Sequence, residues 1–369
     1  MERILYATYR ITFEKASIKP IIAELKLKNC FIPFLERLKT FSWKLALAEK
    51  TRLEKLSIKE AIPNFVIEHL MPVMAFDFLE KNIRYMNQFN NQKSISFRIN
   101  TLSSGDSLPS LTNSILRELN KINVKIWKDK DIPSIFHTSP RNKSKILRTR
   151  SYKNAQIVFQ DKASSAIVDL LSPKPREIIF DMCAAPGIKS SIIAQLTNNE
   201  AKIICNDFHQ TRIEAARNFL TFLKVSNFYL INSDGTKLPF KSRKKFDRIL
   251  IDAPCTGSGT FLLNPELKWR QNGRFLYQNT LIQEKLIKTA LTFIKENGII
   301  VYSTCSLYPE EGEQQIMKFK KFLEPLTIPK WFSPCYRIKN HILKGTGRLF
   351  PAIHKTQGFF VGKFKIKGQ

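Results

Sequence analysis

The strongest constraint on the fold is a set of five short apolar runs, rich in β-branched residues, between residues 160 and 310. The runs cover residues 177–180, 202–205, 228–231, 248–251 and 299–302. Segments with helical spacing separate them, and strands that alternate with helices are typical of a mostly parallel sheet covered on both faces. We therefore predict a doubly wound α/β domain. A last run, residues 358–364, predicts a closing strand, for which an antiparallel direction is one option.

Acidic residues follow the first three of these runs, at the edge where an open parallel sheet binds its ligand. They are Asp181, Asp207 and Asp234. After Asp181, a turn at Pro186 and Gly187 leads into a predicted helix over residues 190–196, whose start can hold an anion. The turn has neither the P-loop spacing nor the dinucleotide fingerprint. Three acids beside an anion-binding turn indicate an adenosyl ligand with a charged amino-acid tail, although each acid singly is also explained as a helix N-cap.

A cysteine stands in each of the loops after the fourth and fifth runs. We expect the thiols of Cys255 and Cys305 to face one crevice, together with the carboxylate of Asp252. This set suits methylation at C5 of a pyrimidine, because C5 is a poor nucleophile until a thiolate adds to C6. The thiolate needs positive charge or hydrogen-bond donors nearby. A base N-methyltransferase would carry an Asn/Asp-Pro-Pro-aromatic string after the fourth run, where Asp-Ala-Pro-Cys stands.

The net charge indicates the kind of partner, and the cysteine spacing indicates the redox environment. The 369 residues carry a formal net charge of +29, which indicates a polyanionic partner, with nucleic acid ahead of a membrane surface. There is no apolar stretch of transmembrane length and no signal-peptide pattern. No C-x-x-C pair suggests zinc or a disulfide framework, so we predict no metal and a reducing compartment. We expect Cys30, Cys205 and Cys335 to be buried as small apolar side chains.

Three regions are predicted along the chain: 1–90, 91–155 and 156–369. The first has apolar residues at helical spacing and no glycine, so we expect helices there, including residues 33–38 and 65–70. The second alternates at residues 94–102 and 124–127, which favours a small α+β unit. This unit ends in a basic run that we expect on a loop or hairpin face, either solvated or in contact with a nucleic-acid backbone. The run consists of Arg141, Lys143, Lys145, Arg148, Arg150 and Lys153.

Seven strings in one order carry a resemblance to a known family. They cover residues 98–102, 160–164, 181–189, 252–259, 264–270, 302–313 and 358–360. Together they resemble the NOL1/NOP2/Sun family of RNA cytosine-5 methyltransferases, which use S-adenosylmethionine, and the match runs from about Pro63 to Lys367. The resemblance implies a Rossmann-like doubly wound methyltransferase domain. A helical region and a small α+β RNA-binding unit would precede it.

The resemblance also implies roles for individual residues. Cys305, in Thr-Cys-Ser, would attack C6, and Cys255, in Ala-Pro-Cys, would assist product release. Asp252 would share a proton with ring N3, and Lys189 would help to organise the site. The implied cofactor contacts are Cys183, Ala184, Ala185, Pro186, Gly187, Ile188, Lys189, Asp207, Arg212, Asp234 and Asp252. Ile188 replaces a glycine that many members have, and Ser190 replaces the commoner threonine, so the turn is expected to be stiffer.

The implied substrate is an RNA cytosine that must leave any stack to reach the thiols. The resemblance favours rRNA, with tRNA as the alternative. We expect a monomer without a membrane partner, in the cytoplasm or, in a eukaryotic host, the nucleolus. The alternative class is a non-catalytic RNA-binding factor for ribosome assembly. Loss of a cysteine or of an acidic cofactor contact would favour that alternative, and none is lost.

Overall fold

The structure is a computed structural model that describes residues 2–87, 94–105, 107–241, 245–339 and 341–367. Its contacts divide the chain into two compact units, Met1–Lys59 and Glu60–Gln369. The predicted boundary between residues 90 and 91 lies outside the described residues. The three-region division stays a prediction.

The first unit is helical, as its spacing predicts. Its helices are α1 (Glu2–Thr12), α2 (Ile18–Leu25), α3 (Ile32–Lys39), α4 (Trp43–Ala46) and α5 (Arg52–Glu60), of which the last residue belongs to the second unit. Ala7, Ile11, Ile21 and Leu35 form its core, because residues four apart share one helix face. Cys30 is exposed, so the prediction that it is buried is wrong. It lies in a single 3₁₀ turn that buries none of its residues.

The second unit begins with helices and a small antiparallel sheet. The elements are α6 (Asn64–Leu70), α7 (Phe76–Asn87), β1 (Ile95–Ile99), α8 (Leu108–Lys121), β2 (Ile126–Lys128), β3 (Ile135–Thr138), α9 (Lys143–Leu147), α10 (Arg150–Lys153) and β4 (Ile157–Phe159). The strand order is β2-β3-β1-β4, and every pairing is antiparallel. Leu111, Ile115 and Leu119 of α8 pack with Phe97 of β1 in one core.

Four of the six residues of the basic run lie on two short helices, α9 and α10, so the prediction of a loop or hairpin is wrong for them. Arg141 lies in a 3₁₀ turn, and Arg148 lies between the two helices. Ile146 is buried and anchors α9, while the six basic residues of the run are exposed. The hydroxyl of Thr149 caps α10 by accepting from the backbone N–H of Tyr152 (3.2 Å). The carboxylate of Glu118 accepts from the backbone N–H of Arg150 (2.7 Å). The buried Ile146 and the two side-chain caps stabilise these short helices. The charges of the run, which are the basis of the prediction, do not indicate either feature.

The larger sheet has eight strands. The elements around it are α11 (Lys162–Leu171), β5 (Ile178–Asp181), α12 (Ile188–Leu196), β6 (Lys202–Asp207), α13 (Gln210–Phe222), β7 (Phe228–Asn232), β8 (Phe246–Asp252), α14 (Gly273–Phe293), β9 (Ile294–Thr304), α15 (Glu313–Phe319), β10 (Leu323–Pro325), β11 (Thr346–Leu349), α16 (Pro351–His354) and β12 (Phe359–Ile366). The order is β10-β12-β9-β8-β5-β6-β7, with β11 paired to β12. Strands β5 to β9 are parallel, and β12 is antiparallel to β9. This confirms the doubly wound fold.

Helices cover both faces of this sheet. Ile167, Ile193 and Leu220, from α11, α12 and α13, belong to one core, whereas Leu286 and Ile287 of α14 belong to the other. The order of the strands reverses at β5, with β6 and β7 on one side and β8 and β9 on the other. A ligand crevice forms at such a switch point, outside the carboxyl ends of the strands. Among the described helices, none has the length and apolar character needed to span a membrane.

Candidate active site

The two predicted thiols meet at the carboxyl ends of β8 and β9. The distance between Cys255 Sγ and Cys305 Sγ is 3.0 Å, and both cysteines are free and partly exposed. The register explains this proximity, because Asp252 at the end of β8 lies opposite Ser303 on β9. Cys255 lies three residues after the end of β8 and Cys305 lies directly after the end of β9, so the two loops leave the sheet side by side.

The thiol of Cys255 is held in its protonated form. The contact with Cys305 and the burial of the pair raise the pKa of Cys255 well above its ordinary value. A protonated Cys255 can donate to the sulfur of Cys305, and the 3.0 Å distance is equally compatible with the reverse direction.

An ion pair lies beside the thiols. The Nζ atom of Lys189 is 2.5 Å from Oδ2 of Asp252, and Ser303 donates to Oδ1 of Asp252 (2.7 Å). Burial opposes the charge of Lys189, but Asp252, Asp181 and Cys305 outweigh it, so that the net pKa of Lys189 is raised. The ammonium group therefore stays charged next to Cys305. Lys189 reaches this place because it is the second residue of α12, the helix that follows β5.

Asp181, at the end of β5, carries a polar atom without a partner. Ser190 donates to its Oδ2 (2.7 Å), while Oδ1 is buried and has no hydrogen-bond partner among the described residues. Burial raises the pKa of Asp181 to about 7. Burial likewise raises the pKa of Cys183 well above its ordinary value, so this thiol is neutral. A buried oxygen without a partner is unusual and indicates a missing donor, such as a ligand group.

The predicted turn folds around Asp207. The backbone N–H of Ala185 donates to Oδ2 of Asp207 (3.3 Å), and Arg212 donates to the carbonyl of Ala185 (2.6 Å). Arg212 also lies 3.4 Å from Asp207 Oδ2. Gly187 has a φ of +98°, in the left-handed region that favours glycine, and caps the start of α12.

The remaining members of the turn have simple positions. Ala184 and Ala185 are buried, Pro186 is exposed, and Ile188 is the half-buried first residue of α12. The turn, Asp181 and Asp207 are thus brought together.

Asp234 stands apart from this group. It is exposed after β7, and its Oδ1 accepts from the backbone N–H of Thr236 (2.8 Å). No hydrogen bond between described residues joins its carboxylate to Asp181 or Asp207. The link is indirect, since Asn206 of β6 donates to the carbonyl of Ser233 (3.1 Å). Asp234 is therefore near the sheet edge but not part of the bonded cluster.

The sequence did not reveal a buried carboxylate that joins the cysteine loops. Glu311 is fully buried, and its Oε1 accepts from the backbone N–H of Thr256 (2.9 Å) and from Gln283 Nε2 (2.9 Å). The hydroxyl of Thr256 donates to its Oε2 (2.5 Å). Burial raises the pKa of Glu311. Glu311 lies within a matched string, but a glutamate two residues after a proline gives no sign that it is buried.

A second missed residue, Arg348 of β11, supports the loop after Cys305. Its guanidinium donates to the carbonyls of Ser306 (3.0 Å) and Tyr308 (3.3 Å). It forms a fully buried ion pair with Glu313 (2.6 Å). The only signal in the sequence is an arginine directly before an apolar segment, residues 349–353, and it does not identify the partner.

Fold and site together define a class of protein: a Rossmann-like methyltransferase with two thiols where the substrate would lie. The sequence model of the family described as 16S rRNA methyltransferase RsmB/F matches residues 168–365. The chain belongs to this family. The resemblance inferred from the seven strings is thereby confirmed.

Individual relatives agree with this assignment. A probable ribosomal RNA small subunit methyltransferase B of Synechocystis is 28% identical over 85% of this chain and 69% of the relative. The 28S rRNA (cytosine-C(5))-methyltransferase of Mus musculus is 29% identical over 85% of this chain, which spans 40% of that protein. The crystal structure of a methyltransferase homologue from Pyrococcus horikoshii superposes with a TM-score of 0.71 at 28% identity, covering 85% of this chain and 98% of that one.

Proposed function

We propose that this chain transfers a methyl group from S-adenosylmethionine to C5 of a cytosine in ribosomal RNA. The observation that carries the proposal is the 3.0 Å contact between Cys255 Sγ and Cys305 Sγ beside the Lys189–Asp252 ion pair. The names of relatives, which specify cytosine-C5 methylation of rRNA, support the same reaction. Relatives named for small-subunit rRNA also support rRNA over the alternative, tRNA.

Cys305 is the proposed nucleophile. Its thiolate, next to the Lys189 ammonium, forms a bond between Sγ and C6 of the base, and the ring electrons displaced from C6 make C5 nucleophilic. After methylation, the C5 proton leaves to a base and the Sγ–C6 bond breaks. The electron pair returns to Cys305, and 5-methylcytosine is released. The family resemblance assigns Cys255 to this release step.

Asp252 is proposed to orient the base. Its two oxygens are held by Lys189 and Ser303, and the lone pairs that remain can share a proton with ring N3. Both contacts fix the carboxylate before substrate arrives. Such preorganisation lowers the reorganisation needed at the moment of attack.

The residues around β5 and β6 fit S-adenosylmethionine, which when bound would supply an electrophilic methyl group. Asp181 Oδ1 has no partner among the described residues and suits the amino group of the methionine part. The start of α12, capped by Gly187, suits its carboxylate. Asp207 suits the ribose hydroxyls and exposed Asp234 the adenine amine. Arg212 holds the turn in place through Ala185.

The RNA is expected to present its cytosine unpaired or flipped out, because both thiols are only partly exposed, in loops at the edge of the sheet. A net charge of +29 supports binding to the phosphate backbone, and the exposed basic residues of α9 and α10 are candidates for it. We propose a monomer that acts in the cytoplasm, or in the nucleolus of a eukaryotic host.

Bisulfite sequencing of total rRNA and tRNA, from cells with the gene, without it, and with a Cys305→Ala copy, tests this function. We expect one rRNA cytosine to lose protection without the gene and with the variant. Loss at a tRNA site would replace rRNA by tRNA. Protection unchanged in all three strains would contradict the methyltransferase function and favour an RNA-binding assembly factor.

A further inference from the structure

A short 3₁₀ helix, Pro265–Arg270, shows an inverted pattern of burial. Lys268 is 9% exposed, whereas the next residue, Trp269, is 74% exposed. Lysine is among the residues least often buried, and tryptophan is on average one of the most buried. In this segment the lysine is buried and the indole ring of the tryptophan is accessible to solvent.

Firm contacts on both sides of Trp269 maintain this arrangement. Lys268 Nζ donates to the carbonyl of Glu60 (3.3 Å) and to the side-chain oxygen of Asn87. Two residues after Trp269, Gln271 is buried and donates to the carbonyl of Thr256 (3.0 Å). The exposure of Trp269 is thus a property of an anchored segment.

The same contacts connect Trp269 to the two cysteine loops. Thr256 follows Cys255 directly, and Tyr308, three residues after Cys305, donates its hydroxyl to Gln271 Oε1 (3.0 Å). Residues two apart have Cα atoms no more than about 7 Å from each other. A ligand on Trp269 is therefore close to both loops.

Exposed cations and a second aromatic ring follow Trp269 along the chain. Arg270 and Arg274 are exposed, and neither has an ion pair or a side-chain hydrogen bond within the described part of the chain. Tyr277, one turn beyond Arg274 on α14, is 63% exposed. Glu266 is the one acidic residue between positions 264 and 280. We name Trp269, Arg270, Arg274 and Tyr277 the Trp269 surface.

We propose that the Trp269 surface binds single-stranded RNA next to the target cytosine, with a base stacked on Trp269 and phosphates on Arg270 and Arg274. This inference rests on the proposed function, since it takes the cysteine loops as the place of the target base. Aromatic rings that stack bases beside cations that neutralise phosphates are the usual means of holding single strands. Two unpaired arginines favour a polyanion over a protein partner, whose surface would need matching carboxylates.

Binding of a labelled single-stranded 12-nucleotide RNA with one cytosine tests the proposal on the full chain. Fluorescence anisotropy gives Kd, and tryptophan emission reports stacking, since the chain has only four tryptophans. Trp269→Phe should keep Kd within about twofold but lose most of the RNA-dependent quenching, and Trp269→Ala should weaken binding about tenfold. In the double variant Arg270→Gln, Arg274→Gln, the slope of log K against log salt concentration should become less steep by about 1.4, because two phosphate contacts are lost. Phe222→Ala, an aromatic 48% exposed at the end of α13, is the matched control and should change neither.

The outcomes separate this inference from the proposed function. If Trp269→Ala has the Kd and the quenching of the wild type, the Trp269 surface does not bind RNA. Methylation in the bisulfite experiment would in that case still support the proposed function. If quenching depends on Trp269 but no cytosine is methylated, the Trp269 surface is an RNA-binding site and the proposed methyltransferase function is wrong. Thermal unfolding of each variant excludes a general loss of structure.

Discussion

The carboxylate of Glu311 accepts the backbone N–H of Thr256 at 2.9 Å and thereby ties the loop after β9 to the loop after β8. Thr256 is the neighbour of Cys255, and Glu311 lies six residues beyond Cys305 on a 3₁₀ turn, Pro309–Glu311. The hydroxyl of Tyr302 donates to the carbonyl of Glu311 (2.7 Å) and fixes this turn to β9. Glu311 is thus a positioning residue for both thiols.

Glu311→Ala should lower kcat about a hundredfold, the order of effect that follows from an ångström of misplacement at a reacting group. Cofactor affinity should not change, because Glu311 does not contact the turn at Gly187. Steady-state kinetics and cofactor titration measure both. Glu310→Ala is the control, since Glu310 pairs with His69 (2.9 Å) instead, and its kcat should stay near wild type. A wild-type kcat for Glu311→Ala would refute the positioning role.

Cys305→Ala should abolish methylation and keep cofactor binding, because the nucleophile is lost while Asp181 and Asp207 remain. Cys255→Ala should still allow attack but impair release, so that the enzyme stays bound to its RNA. Denaturing gels of enzyme mixed with labelled RNA and cofactor show the trapped complex as a slower band. Cys30→Ser, at an exposed cysteine of the first unit, serves as the control. Normal turnover by Cys305→Ala would show that the nucleophile is misassigned.

Arg348→Met should destabilise the second unit by about 3–5 kcal/mol, the usual effect of removing one partner of a buried ion pair. The carboxylate of Glu313 would be left buried without its cation. The double variant Arg348→Met, Glu313→Leu should be more stable than the single variant, because it removes that charge as well. Urea unfolding measures both. A double variant less stable than Arg348→Met would contradict this account of the pair.

Asp181 should make stability depend on pH between about 4 and 7. Burial raises the pKa of its carboxyl to about 7 in the folded chain, whereas an unfolded aspartate has a pKa of about 3.9. The folded state alone binds the proton in this window, so the contribution is complete below pH 4 and declines by up to about 1.4 kcal/mol per unit until pH 7.

Asp181→Asn removes this dependence. The stability of the variant relative to wild type should increase from pH 4 to 7 and then remain constant. Urea unfolding at pH 4.5, 6 and 7.5 measures the difference. A difference that is the same at all three values would show that Asp181 is charged in the folded chain.

Much of the fold was predictable because buried parallel strands are continuous apolar runs. The contact between Cys255 and Cys305 also followed from the sequence, since adjacent parallel strands end at one edge and carry their loops together. The position of Asp207 beside the turn at Ala185 has the same origin. Local sequence order sufficed for each of these features.

Other features depend on residues far apart in the chain. The burial of Glu311 requires Thr256 and Gln283 as donors, and nothing local identifies them. Arg348 lies on β11 and contacts the loop after Cys305, which is about 40 residues earlier in the chain. The exposure of Trp269 depends on anchors at Glu60 and Asn87, on other segments. Tertiary packing, which sequence periodicity does not contain, decides all three.

The closing strand also sets the order in which the site can form. Gly259, in the loop of Cys255, donates to the carbonyl of Cys305 (3.0 Å) and accepts from the backbone N–H of Gly358 (2.8 Å), where a Cβ at position 259 would overlap Gly358. Strand β12 then runs between β9 and β10. During synthesis, both cysteines therefore leave the ribosome well before the segment that completes their loop packing. A nascent chain therefore completes the packing of these loops only when Gly358 and strand β12 are in place.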